Sequence, residues 1–151
     1  MKPSNCLSLG VLLSIGTILG PSPAFAADAG STVFDGRCAA CHGAGGVGTP
    51  GLAPPLAGAL PYLGQGAGRD YVLGVLTHGL SGRIVTKGQA LAGAMPAQID
   101  LSDEDLASVA NHLAWLNGQS ATIARPEDAA RLRKATLDHK ALREQRAALL
   151  R

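Results

Sequence analysis

Apolar positions along the chain fall into stretches of different period, and each predicts a different element. The sharpest lies between Ser102 and Asn117, where Leu106, Val109, Ala110, Leu113 and Leu116 recur at the i, i+3, i+4, i+7 spacing of one helix face. Ser102 precedes it with Asp105 three residues on, a capping-box pattern with Asp in place of the usual Glu or Gln. Asp103, Glu104 and Asp105 suit the positive end of that helix, and Gly118 is the predicted stop. A second apolar face, Val72, Leu73, Val75 and Leu76, predicts a middle helix, weakened by Gly74.

Between these helices the patterning breaks down. Gly43 to Leu60 holds Gly43, Gly45, Gly46, Gly48, Pro50, Gly51, Pro54, Pro55 and Gly58, too many breakers for regular structure. Residues 119–125 read as a linker. Pro126-Glu127-Asp128 then reads as a helix start, and the segment to Arg151 is rich in Ala, Leu and Arg. Ala135, Leu142 and Leu149 recur every seven residues there, but Leu132 is followed at the same spacing by His139 and Arg146. That pattern favours a docking helix over a coiled coil, with a solvated tail as the alternative.

The remaining apolar run, Leu7 to Gly20, follows Lys2 and leads to Ala24-Phe25-Ala26, with small residues at the positions a signal peptidase reads. Residues 1–26 are therefore expected to be a cleaved secretory signal, which places the mature protein in a periplasm. The run is shorter than a spanning helix needs, and no later segment reads as transmembrane.

Composition changes the picture in two ways. The 151 residues, 46% of them hydrophobic, suit one small domain, but only 3% are aromatic, so the core is thin and a staple or cofactor is expected to supply apolar bulk. The charge is uneven. Residues 28–124 carry four basic and seven acidic side chains, whereas residues 125–151 carry eight basic and four acidic ones. The basic end could meet an acidic protein surface or anionic lipid. No nucleic-acid motif accompanies it.

Cys6 leaves with the signal, so the mature chain keeps Cys38 and Cys41, in the order Cys38-Ala39-Ala40-Cys41-His42. This C-x-x-C-H run is the attachment signature of c-type haem. Two thiols at this spacing each add to one porphyrin vinyl group, and the next residue presents an imidazole to the iron. A redox dithiol would want a thioredoxin-like βαβ pattern, and a zinc site two further ligands; neither is evident. Met95 is the only methionine beyond Met1, and Pro96 biases it toward extended backbone, away from a helical core face.

With these motifs in order, residues 29–118 resemble the class I c-type cytochromes. The resemblance is carried by Gly30 and Phe34, Cys38 to Gly43, Pro54-Pro55-Leu56 with Gly58, the helix Asp70 to Gly79, Met95-Pro96, and the helix Ser102 to Asn117. It implies an all-α cytochrome c-like fold over residues 27–118 around one covalent haem c, followed by a helical extension over residues 126–151. It also implies His42 and Met95 as axial iron ligands, the Pro54 carbonyl (or that of Pro55) as acceptor for the His42 ring N–H, and Leu56 in the haem pocket. His78 and His112 are rival sixth ligands. His78 reads more simply as a helix C-terminal cation, and His112 holds a place where relatives have an aromatic ring packed on the first helix. Trp115 and Tyr62 are candidates to border the haem or its propionates, with a generic core role as the equal alternative, while Arg69, Arg83 and Lys87 are candidates to pair the propionates, with surface solvation as the default for each. His139 is expected in solvent.

The leading expectation is a periplasmic cytochrome passing single electrons between redox partner proteins, either freely diffusing or as a subunit of a dehydrogenase or oxidase docked through residues 126–151. Two readings compete with it. One is a haem enzyme or gas sensor whose sixth ligand is displaceable. The other is a haem-free exported binding module with a Cys38–Cys41 disulfide.

Overall fold

The computed structural model describes residues 24–151; the predicted signal residues before Ala24 lie outside them. Helix α1 (Ala24–Arg37) runs almost directly into the short α2 (Ala39–His42), the junction at Cys38 being held by Cys38 N–H donating to Phe34 O at 2.8 Å. A 3₁₀ turn at Ala44–Gly46 opens the Gly/Pro-rich loop. Then come α3 (Gly66–His78), an antiparallel hairpin of β1 (Leu80–Thr86) and β2 (Gln89–Met95), and α4 (Asp103–Leu116). The basic segment forms α5 (Pro126–Lys134) and α6 (His139–Leu149).

The core is the crossing of α1 on α4, with α3 laid against α4. Gly30 makes the crossing close: a Cβ there would stand 2.2 Å from the Ser108 carbonyl oxygen and 2.9 Å from His112 Cβ. Phe34, Leu106 and Val109 are fully buried around it. His112 fills the aromatic place, its ring 5.2 Å from Phe34 and stacked 5.9 Å from Trp115. Helix α4 starts as its sequence predicts, because Ser102 Oγ accepts from Asp105 N–H and the Asp105 carboxylate accepts from Ser102 N–H.

The all-α expectation needs correction. Residues 80–95 form a hairpin paired from Leu80↔Met95 to Thr86↔Gln89, turning at Lys87 and Gly88, both at positive φ. Helix α3 also begins four residues before the predicted Asp70.

The extension is no solvated tail. It is two helices, broken at residues 135–138, where Asp138 caps α6 by accepting from Ala141 N–H at 2.7 Å. Helix α5 packs on α3 and α4, and α6 packs on α3 and β1. The weak spot in α3 turns out to be the seat of this docking. A Cβ at Gly74 would stand 3.0 Å from Leu142 and 3.2 Å from Leu137. The linker is pinned by Asn111, whose Oδ1 accepts from Ile123 and Ala124 N–H while its Nδ2 donates to Ala124 O.

Candidate haem-binding site

A single cavity gathers side chains from the whole length of the described chain. From α1 and α2 come Phe34, Cys38, Cys41 and His42; from the loop, Leu52 to Leu56 and Tyr62; from α3, Tyr71, Val72, Val75 and Leu76. Strand alternation explains the hairpin's part. Leu80, Gly82, Ile84 and Thr86 of β1 line the cavity, whereas Arg83 faces away from it and Lys87 lies at the exposed turn. Neither therefore lines the cavity, and both sit at the surface, as the simpler reading of each has it. Arg69 is likewise occupied elsewhere, 2.9 Å from Asp70 and 3.4 Å from Asp128.

Cys38 is buried and Cys41 exposed, and neither forms a disulfide. Burial pushes the Cys38 thiol pKa up, with the Arg37 charge acting against the shift. A redox dithiol needs the opposite shift. Among the described residues no group of three or more His, Cys, Asp or Glu side chains is arranged to hold a metal ion, which leaves the zinc reading without a donor set.

His42 is buried, and its Nδ1–H donates to Pro54 O at 3.0 Å. That bond fixes the tautomer and leaves Nε2 as the nitrogen with a free lone pair. Pro54, not Pro55, supplies the acceptor. The loop carrying it is tied to α4 through Asn117, whose Nδ2 donates to Leu56 O and whose Oδ1 accepts from Leu60 N–H, each at 2.9 Å.

Met95 ends β2, extended as Pro96 requires, half-buried against the core and lining the cavity. Gly79 allows it to come this close. It ends α3 at φ 75°, and a Cβ there would stand 2.6 Å from Met95 O. Cys38, Cys41, His42, Pro54, Leu56 and Met95 are thus brought to one cavity from three separate segments of the chain.

The other histidines lie outside the cavity lining. His78 Nε2 bonds Ala135 O at 2.8 Å, and His112 sits in the α1/α4 crossing, where burial pushes its pKa down with Asp35 acting against. His139 is not in solvent. One ring nitrogen bonds Ser81 Oγ and the other donates to His78 O at 3.2 Å. Trp115 is 60% exposed and off the cavity lining, so of the two aromatic candidates only Tyr62 borders the site.

Sequence reasoning missed the hairpin's share of the lining and its one charged residue, Arg146 of α6, which is 9% exposed. The basic composition of the tail hid it, since one arginine among eight basic residues carries no signal of its own. The cavity fits a flat apolar group bearing carboxylates. Its walls are almost wholly apolar, with two thiols and an imidazole on α1 and α2, and the buried Tyr62 hydroxyl lacks a hydrogen-bond partner among the described residues.

The model of one family, described as cytochrome c oxidase, cbb3-type, subunit III, matches residues 25–113. The chain belongs to the c-type cytochromes. Two curated cytochromes are similar to it. Cytochrome c-552 of Thermus thermophilus is 41% identical over 88 residues, which cover 58% of this chain and 67% of the relative. A cytochrome c-552 from a specified strain of the same species is also 41% identical over 88 residues, covering 58% of this chain and 60% of the relative. As a c-type cytochrome the protein is a haem c electron-transfer protein, and redox proteins are its partners. No described helix is long and apolar enough to cross a membrane.

Proposed function

We propose that the protein is an exported, periplasmic mono-haem cytochrome that accepts and donates single electrons, with thioether links at Cys38 and Cys41 and with His42 and Met95 as axial iron ligands. The observation that carries this reading is the convergence of His42 and Met95 on one apolar cavity, with the His42 tautomer set by Pro54 O. When bound, the haem supplies a reversible one-electron store. The residues do the rest. Pro54 aims His42, Gly79 and Pro96 hold Met95 in place, and Val72, Val75, Leu76 and Ile84 exclude water. His/Met ligation raises the potential and closes the iron to small ligands, which separates a carrier from a gas sensor.

Carbon monoxide added to the reduced haem protein tests this directly. The wild type is expected not to bind it, and Met95→Ala is expected to bind it while keeping the haem through acid-acetone extraction. Binding by the wild type would overturn Met95 ligation, and loss of haem on extraction would overturn covalent attachment.

A subunit role in a terminal oxidase is a second reading, favoured by the family model matched over residues 25–113. The extension does not itself argue for a dedicated partner, because its apolar face and several of its charges are used within this chain. Leu142 is fully buried, Arg131 pairs with Asp70 at 2.9 Å, and Arg133 pairs with Asp103 at 2.9 Å.

A further inference from the structure

Helix α6 docks by Leu142, which is fully buried above Gly74. Four residues on, along the same helix face, comes Arg146. Its guanidinium differs in kind from those of Arg131 and Arg133, which lie partly exposed in ion pairs with carboxylates. Arg146 is nine-tenths buried, lines the cavity, and pairs with no carboxylate among the described residues. It is the only Lys, Arg, Asp or Glu side chain in the lining.

A buried charge without a counter-charge is costly, so such a site calls for an anion. A second orphan adjoins it. Tyr62 Oη is buried with no well-formed hydrogen bond, and the Arg146 guanidinium is the charge beside it. Tyr71 packs edge-on against Tyr62, ring centroids 5.7 Å apart. Burial pushes both tyrosine hydroxyls above their ordinary range, against the pull of Arg146, so both stay neutral. A planar guanidinium fork beside a neutral phenol is a donor set for a carboxylate.

We propose that Arg146 of the C-terminal extension, together with Tyr62, seats a propionate carboxylate of the haem, which makes the extension part of the cofactor site. This rests on the haem reading above. Pairing the carboxylate removes a negative charge that would otherwise favour the oxidised iron, so Arg146 is a positioning residue that raises the potential.

The test uses the full-length haem-loaded protein, with covalent haem measured for each variant and the midpoint potential as readout. Arg146→Gln is expected to shift the oxidised-to-reduced ratio about tenfold toward oxidised, about 59 mV for one electron. Arg146→Lys should restore at least half of that shift. Arg133→Gln, which removes the same charge from α5 at a position outside the cavity lining, should leave the potential near wild type. If Arg146→Gln binds haem but shifts no further than Arg133→Gln, the proposal is overturned. Should Arg146→Gln fail to accumulate, Tyr62→Phe reads the same seat: a shift of about threefold in the same direction supports it, and no shift overturns it. Absence of covalent haem from the wild type would instead sink the haem reading itself.

Discussion

At the residue scale, Gly79 does more than end a helix. Its backbone lies at φ 75°, ψ −179°, a region kept almost to glycine, and the Met95 carbonyl occupies the space a side chain would take. Gly79→Ala is expected to cost about 1–3 kcal/mol of stability. Because the nearest backbone belongs to Met95, it should also loosen that residue, so that the reduced variant binds some carbon monoxide. Chemical denaturation and a carbon monoxide titration check the two effects separately. An undiminished denaturation midpoint would show that the backbone there relaxes freely.

At the scale of elements, what could be read in advance depended on where the information sat. Helix α4 was legible because its cap, its first-turn acids and its apolar stripe are all local and agree. The hairpin was not. Strand β2 is rich in Ala and Gly, poor β-formers, Gly82 interrupts β1, and the turn Lys87-Gly88 lacks the usual Asn or Asp before glycine. What stabilises it is non-local: α6 lies across β1, and Arg143 donates to Ser81 O. The cavity residues divide the same way. Cys38, Cys41, His42 and Met95 announce themselves by type and spacing, whereas the role of Arg146 exists only once α6 is docked. Leu142 is the pivot of that docking, so Leu142→Ala is expected to destabilise the protein by about 2–4 kcal/mol. The first visible change should be proteolysis around residues 135–138, at the α5/α6 break. Equal protection of wild type and variant there would show that α6 is held by something else.

Across the whole molecule, the opposed charges of the two segments are matched in place. Asp70 is the hub, accepting from Arg69 and Arg131, each at 2.9 Å. Burial alone would raise its pKa, but the hydrogen bonds from Arg131 and Arg69 outweigh it and hold the carboxyl below its ordinary value. In the unfolded chain that group binds its proton more readily. Its contribution is therefore fully present above about pH 4 and is lost as pH falls through the lower folded-state value. Acid should loosen the extension first, and Asp70→Asn should show a shallower acid dependence of its melting temperature than wild type. An unchanged slope would place the acid sensitivity on other carboxylates.

The cavity takes Cys38, Cys41 and His42 from near one end of the described chain and Arg146 from near the other. A chain exported from its N-terminal side would deliver the attachment residues well before the helix that covers them. The thiols therefore have an interval in which a large flat cofactor can approach with the wall of α6 still missing. Closure would follow, by a segment later in the chain, so that the order of residues doubles as a schedule for building the site.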